Sequence, residues 1–361
     1  MKAFFSHAHR AHSPGLWLFK GGIAEAQEVP QRADVLLQAA IDGGHDMIEL
    51  EARDLAPSEL RAVHAVHDGD YLDFLQTSWT RWSQLPGCSA QMIPNVNLGR
   101  HIRQRPQSIV GLAGYYQADG ACPIGEGTWQ GATASAQVAI TAANELMSGR
   151  CTQAYALCRP PGHHAYADMA GGFCFLNNTA IAAQICADAG ASKIAIVDVD
   201  VHHGNGTQEI FYQRADVFTA SLHGDPANFY PHFVGYDAET GTGPGLGSNL
   251  NVPLAQGTMD NAYLPRLEAV LDRVARFTPD VLVVALGLDA SGHDPLAFLD
   301  ISSDGFERIG ATLGALNLPT LLVQEGGYLS PHLGTNLQRT LRGFEATHNK
   351  SIPTPKGALR Q

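Results

Sequence analysis

Lys193-Ile-Ala-Ile-Val197 runs straight into Asp198-Val-Asp-Val-His-His-Gly-Asn205, an apolar stretch that stops in a row of metal-binding side chains. In extended chain alternate residues share a face, so Asp198, Asp200 and His202 should point one way while Val199 and Val201 pack on the other. Two carboxylates and an imidazole then come within reach of one ion. Such a donor set suits zinc or another first-row divalent metal, and so few protein ligands leave positions open for water and substrate, as catalysis requires.

The same pattern recurs four times. Ala154-Tyr-Ala-Leu157 leads into Cys158-Arg-Pro-Pro-Gly-His163-His164, and Val217-Phe-Thr-Ala220 into Ser221-Leu-His223-Gly-Asp225. Val281-Leu-Val-Val-Ala-Leu286 leads into Gly287-Leu-Asp289-Ala-Ser-Gly-His293-Asp294, and Thr320-Leu-Leu-Val323 into Gln324-Glu-Gly-Gly-Tyr328. Continuous apolar runs are what strands buried on both faces look like, and in open parallel sheets ligands bind beyond the carboxyl ends of the strands. One rim built from five strand ends accounts for all five junctions.

With 361 residues, 45% hydrophobic and 16% charged, the chain has material for a large core. A single catalytic domain over 1–347 is expected, since no linker-like break interrupts the motifs, with a loosely held tail over 348–361. A net charge of −12 argues against nucleic acid and anionic membrane and is compatible with a cationic substrate. The start, Met1-Lys-Ala-Phe-Phe-Ser-His7, lacks a signal-peptide pattern, and no run approaches the roughly 18 apolar residues of a membrane helix, so a cytoplasmic protein is expected. Six cysteines without Cys-x-x-Cys spacing point to buried thiols rather than a zinc knuckle or disulfide framework.

Helices are readable between the motifs. Asn177 or Asn178 can cap a run that stops at Gly190, Thr258 one through Leu264 to Val274, and Ser302 or Ser303 one through Phe306 to Leu313. Strand, helix, strand in succession is the signature of a parallel sheet. The exception is 77–127, rich in Trp, Pro and Gly without a sustained period, which reads as a loop-rich insertion at the active-site entrance or an interface. His7, His9 and His12 have a metal-like spacing but lie far from the cluster, so surface or packed histidines are expected. Gly241-Thr-Gly-Pro-Gly-Leu-Gly247 lacks the Gly-Lys-Ser/Thr ending of a phosphate loop and leads to a strand-like Asn249-Leu-Asn-Val-Pro253, which rejects nucleotide binding.

A lone Asp-x-Asp is often only a capping feature, but His202 and a further carboxylate at another strand end, Asp289, strengthen the metal reading. His163 and His164 suit acid and base roles beside a metal, and Tyr328 on its glycine-permitted loop suits donation to an oxyanion.

Together, Arg159-Pro-Pro-Gly-His-His164, Gly171-Gly-Phe-Cys-Phe-Leu-Asn-Asn178, Asp198 to Gln208, Gly287-Leu-Asp289 and Glu325-Gly-Gly-Tyr328 resemble the zinc-dependent histone deacetylase superfamily, class II branch, as does Val66-His-Asp-Gly-Asp-Tyr-Leu72. His223-Gly-Asp-Pro226, Phe229-Tyr-Pro-His-Phe233, Gly235-Tyr236 and Glu239-Thr-Gly241 are most similar to its bacterial acetylpolyamine amidohydrolases. The resemblance implies an α/β arginase/deacetylase fold, a single open eight-stranded parallel sheet with helices on both faces. It implies one catalytic Zn2+ on Asp200, His202 and Asp289, with Asp198 orienting His163 and Asn205 orienting His164. A structural K+ on Asp198, Asp200, His202, Ser221 and Leu222 is implied, as are Gly172, Phe173 and Tyr230 at a narrow tunnel and a homodimer built through the insertion. The implied activity is removal of acetyl groups from small acetylated alkylamines, releasing acetate and free amine.

Aligned on Gly114-Tyr-Tyr116, the acidic residues with which such enzymes receive a distal ammonium fall at Val110, Ala121 and about Trp17. Asp119 or Glu126 could compensate, or the substrate could be a shorter, less charged amine such as acetylcadaverine. Alternatives are a protein or peptide acetyl-lysine deacetylase, an arginase-like ureohydrolase, which needs two manganese ions and further ligands, and a non-catalytic binding module.

Overall fold

The computed structural model describes residues 1–99 and 101–348. Its main sheet holds eight parallel strands in the order β4-β1-β5-β10-β9-β6-β7-β8. These are β1 (Lys2–Phe5), β4 (Asp46–Glu49), β5 (Gln153–Ala156), β6 (Ile194–Asp198), β7 (Val217–Gly224), β8 (Asn249–Leu254), β9 (Val281–Leu286) and β10 (Thr320–Gln324). A separate antiparallel hairpin pairs β2 (Leu16–Phe19) with β3 (Gly22–Glu25). The five apolar runs read from the sequence are the five contiguous strands β5, β10, β9, β6 and β7.

Alternation along these strands divides the interior in two. Ile194 and Ile196, Val281 and Val283, and Leu321 and Val323 face one core, with side chains of α2 (Pro57–Val66), α3 (Gly69–Trp82), α4 (Ile109–Tyr116), α5 (Thr128–Met147) and α6 (Asn178–Asp188). Ala195 and Val197, Leu282 and Val284, and Leu322 face the other, with α1 (Gln31–Asp42), α8 (Asp260–Phe277), α9 (Ser303–Gly314) and α10 (Leu333–Thr347). The short α7 (Asn205–Phe211) starts just beyond the end of β6. Both faces of the sheet are thus covered, which is why its strands read as unbroken hydrophobic runs.

Two caps are as expected: the Asn177 side chain accepts from Ala180 N–H, and Ser302 Oγ accepts from Gly305 N–H. Thr258 does not cap α8. Met259 occupies that position without a side-chain bond, and the helix entrance is fixed instead by Asp260, whose carboxylate accepts from the Ser302 N–H and hydroxyl. Region 77–127 is less irregular than its composition suggests, because α3 runs through Thr77 to Trp82 and α4 lies inside it. Within the expected tail over 348–361, His348 packs on Phe344 and bonds the Leu318 carbonyl, and the rest lies outside the described residues.

Candidate active site

β6 ends at Asp198, so Asp200 and His202 sit on a bend just past the strand rather than within it. The segment holds itself in place: Asp198 Oδ1 accepts from Asp200 N–H at 3.0 Å, and Asp200 Oδ1 accepts from His202 N–H at 2.9 Å. Aspartate side chains commonly brace turns by such bonds two residues on. From the end of β9, Asp289 Oδ1 reaches back to Val201 N–H at 3.0 Å. Asp200, His202 and Asp289 are buried, with potential ligand atoms all within 4.8 Å of one another. His202 Nδ1 lies 3.1 Å from Asp200 Oδ1 and 3.2 Å from Asp289 Oδ2, and that Asp289 oxygen has no hydrogen-bond partner.

An orphaned carboxylate oxygen and a second carboxylate converging on one imidazole call for positive charge. Burial opposes a charge on His202, yet the two aspartates outweigh it and lift the ring to about 9. A divalent cation answers the same demand with the imidazole neutral, as metal ligation requires. Gly326, after β10, is needed here, because a Cβ would stand 2.1 Å from Asp289 Oδ2 and 2.5 Å from Asp200 Oδ2. Its N–H donates to Asp200 Oδ2 at 2.7 Å.

The histidine pair arrives on the loop after β5. Glu325, at the end of β10, anchors it from beneath: one carboxylate oxygen accepts from the Gly162 and His163 N–H groups at 2.6 and 3.0 Å, the other from the Thr179 hydroxyl at 2.6 Å. His163 Nδ1 is 2.9 Å from Asp198 Oδ2. Burial disfavours its charged form, but Asp198 and Asp200 prevail and raise the ring to about 10. His164 is pushed the other way, well below its ordinary value, first by burial and then by His163 and His202. Its Nδ1 is 2.6 Å from Asn205 Oδ1, while Asn205 Nδ2 donates to the Tyr166 hydroxyl. That amide orientation leaves His164 Nε2 free to accept a proton. The two rings, 4.0 Å apart, are thus pushed in opposite directions, His163 toward its charged form and His164 toward its neutral one.

Tyr328 follows Gly327, whose φ is +109°, and is buried. Its N–H donates to Asp294 Oδ2 at 2.7 Å, Arg32 lies 5.0 Å from its ring, and Phe173 meets it edge-on at 5.5 Å. Burial drives its phenol well above the ordinary value, so it remains a hydrogen-bond donor. The run from Gly287 to Asp294 contains this carboxylate, but nothing in its sequence points to the contact with Tyr328. Its other oxygen accepts from Leu296 N–H at 2.8 Å, joining Tyr328 to the cavity wall.

A cavity of about 600 Å³ adjoins the cluster, lined by His164, His202 and Tyr328 together with Trp17, Phe173, Phe229, Tyr230 and Phe298. Gly172 has φ +50°, and a Cβ there would lie 2.4 Å from the His164 ring. Phe173 itself takes φ +70°, a left-handed backbone that few non-glycine residues adopt. Tyr230 stands edge-on to His164 at 4.9 Å, and Phe229 stacks on His202 at 4.8 Å. Trp17 and Ala121 do line the cavity, whereas Val110 and Glu126 are not among the lining residues. Asp119 is there too, with its carboxylate already bonded by protein donors.

The residues expected to hold potassium also come together, since Asp198 and Ser221 are register partners on β6 and β7. Ser221 Oγ is 2.8 Å from His223 Nδ1, whose Nε2 bonds the Gly235 carbonyl, so the hydroxyl proton goes to His223 and the oxygen lone pairs stay free. A void of about 10 Å³ borders Asp198 and Ser221. His9 and His12 are buried beside Glu28 and Arg159, away from the metal-type cluster.

A model of the histone deacetylase domain matches residues 26–344. The chain belongs to the histone deacetylase family. The family comprises metal-dependent deacetylases, in keeping with the buried donor cluster. Among its members, the acetylpolyamine amidohydrolase of Mycoplana ramosa is 42% identical over 343 residues, covering 95% of this chain and 99% of that one. The acetylpolyamine amidohydrolase of Burkholderia pseudomallei (strain 1710b) is 43% identical over 350 residues, covering 96% and 99%. A crystal structure of acetylpolyamine aminohydrolase from Burkholderia pseudomallei superposes with a TM-score of 0.91 at 41% identity, over 97% of this chain and all of that one. Histone deacetylase 8 of Arabidopsis thaliana, 39% identical, matches over 60% of each chain.

Proposed function

We propose that this protein is a zinc-dependent amidohydrolase that removes the acetyl group from small acetylated alkylamines, releasing acetate and the free amine. The observation that carries the reading is the pairing of a buried Asp200, His202 and Asp289 cluster with two adjacent histidines of opposite charge preference, beside an aromatic-walled cavity. Near-complete mutual coverage with relatives named acetylpolyamine amidohydrolases supports the small-amine substrate.

Zinc held by the three ligands would supply Lewis acidity toward the amide carbonyl and an acidified water. His164, neutral and with Nε2 free, takes the proton of the attacking water as general base. Tyr328 donates its phenolic hydrogen to the carbonyl oxygen as negative charge develops there. The departing amine takes its proton from the histidine pair, with Asp198 holding His163 in place. Asparagine at 205 orients His164 without the charge a carboxylate would add, which keeps it a weaker base. Phe173 and Tyr230 wall a tunnel for an unbranched alkyl chain. Asp119 is the only carboxylate among the cavity-lining residues, and protein donors already occupy it, which favours a short, less charged amine over a longer polyamine.

K+ bound by Asp198, Ser221 and Leu222, with Asp200 and His202, would brace the ends of β6 and β7. Residues 1–347 form the catalytic domain. A homodimer through the insertion at 77–127 is supported by exposed apolar side chains within it, with Val96 and Ile102 each 52% exposed. No helix among the described residues is long and apolar enough to cross a membrane, and a cytoplasmic location fits the net charge of −12. Rates measured side by side on acetylputrescine, acetylcadaverine, acetylspermidine and an acetyl-lysine peptide test the reading. The small amines should lead, and a clear preference for the peptide would overturn it.

A further inference from the structure

The two walls of the tunnel come from unconnected parts of the chain. Phe173 sits on the loop between β5 and α6, while Tyr230 sits on the long loop between β7 and β8. One carboxylate joins them: Asp119 Oδ2 accepts from the Tyr230 hydroxyl at 2.6 Å and from Gly172 N–H at 3.2 Å. Its Oδ1 accepts from Ala121 N–H at 2.8 Å, which fixes the carboxylate plane. The backbone carrying Asp119 is itself bonded to the Phe173 loop, through Ala118 N–H to the Ala170 carbonyl at 2.7 Å and Ala170 N–H to the Tyr116 carbonyl at 2.8 Å. Asp119 and the Phe173 loop thus move as one piece, and the phenol of Tyr230 is latched to it.

We propose that Asp119 is a specificity-determining positioning residue, which fixes the separation of the Tyr230 and Phe173 walls and so confines the tunnel to unbranched chains. The proposal rests on the amide-hydrolase reading above and changes the role expected of Asp119 from the sequence. With two N–H groups, the Tyr230 hydroxyl and, more weakly, the Cys122 thiol on its two oxygens, the carboxylate has little acceptor capacity left for a substrate ammonium. A phenol bonded to a carboxylate at 2.6 Å is a short, charge-assisted contact that holds its ring firmly. Loss of the latch frees Tyr230 to swing, and straight chains lose the guidance that aligns their acetamide with Tyr328 and His164.

The test compares wild type, Tyr230→Phe, Asp119→Ala and the double variant, all zinc-loaded, on N-butylacetamide, N-acetylputrescine and the branched N-sec-butylacetamide. Asp119→Ala should lower kcat/KM for the neutral and the cationic straight chains by a similar factor, about tenfold, with zinc content unchanged. It should also narrow the preference for N-butylacetamide over its branched isomer. Tyr230→Phe should reproduce part of both effects and add little in the Asp119→Ala background, because the two changes break one contact. A loss confined to N-acetylputrescine would make Asp119 an ammonium receiver and overturn the proposal, as would a Tyr230→Phe enzyme with the wild-type straight-to-branched ratio. Since Tyr230→Phe removes a single oxygen, it remains decisive should Asp119→Ala disturb the 119–122 turn. If wild type hydrolyses none of the three amides, the amide-hydrolase reading fails on its own. Crystals of Asp119→Ala then decide the wall geometry: a displaced Tyr230 ring supports the latch, and an unmoved one refutes it.

Discussion

Replacing Tyr328 by phenylalanine deletes one hydroxyl and leaves every other restraint on the side chain in place. The N–H bond to Asp294, the edge contact with Phe173 and the Arg32 guanidinium 5.0 Å from the ring are all independent of the phenolic oxygen. The ring should therefore keep its position and the fold its stability. Tyr328 is also outside the Asp200, His202 and Asp289 cluster, so zinc affinity should not change. What is lost, on the proposed mechanism, is a donor to the oxygen on which charge develops. Burial keeps that phenol protonated far above neutral pH, so in the wild type it is available throughout the working range. Removal of one oxyanion donor costs about 10²–10³ in kcat, or about 2.7–4 kcal/mol. Acetate release at saturating acetylputrescine, with zinc content measured on the same sample, should show kcat down by about 10²-fold or more and KM little altered. A variant within about threefold of wild-type kcat would refute the reasoning and leave the oxyanion to the metal alone.

Asp200→Ala, His202→Ala and Asp289→Ala should each lose metal and activity together after dialysis, because a site with three protein ligands cannot spare one. Full zinc occupancy with normal turnover would remove that residue from the ligand set. Asp294→Asn should lower kcat by about tenfold while zinc stays bound, since its amide can accept from only one of the Tyr328 and Leu296 N–H groups. In the Tyr328→Phe background most of that loss should vanish, and an additive loss would mean Asp294 acts elsewhere. Stability should fall below pH 6.5. His67 gives its Nδ1 proton to the Tyr166 carbonyl and accepts from Asn177 N–H through Nε2 at 2.9 Å, and burial holds it to about 4. Between pH 6.5 and 4 the unfolded chain takes up a proton that the folded one refuses, which costs roughly 3 kcal/mol over the whole window. Urea midpoints at pH 7 and pH 5 measure it, and a slope unchanged in His67→Gln would assign the effect to other groups.

Strand ends were legible because strands covered on both faces leave unbroken apolar runs that stop where the chemistry starts. β1 and β4 left no such signal: each has four residues, and both ends of β4, Asp46 and Glu49, are charged. Helix α3 does carry a helical spacing in Tyr71, Leu72, Phe74, Leu75 and Ser78, but the composition shift near Thr77 cuts the run in two. Asp200, His202 and Asp289 could be grouped because the first two follow β6 and the third follows β9, at the same end of one sheet. Asp294 and Asp119 could not be assigned this way, since their partners lie 34 and 111 residues away and meet them only through tertiary folding. The same holds at α8, where Asp260 in the first turn holds Ser302 from 42 residues away.

The central claim is that one metal ion, held by Asp200, His202 and Asp289, turns this site into a deacetylase. Metal-stripped protein titrated with zinc, with acetate release from acetylputrescine followed at each addition, tests it most directly. Activity should start from none, rise in proportion to zinc and break at one equivalent per chain. Turnover by the stripped protein, a break at two equivalents, or zinc binding without acetate release would contradict it.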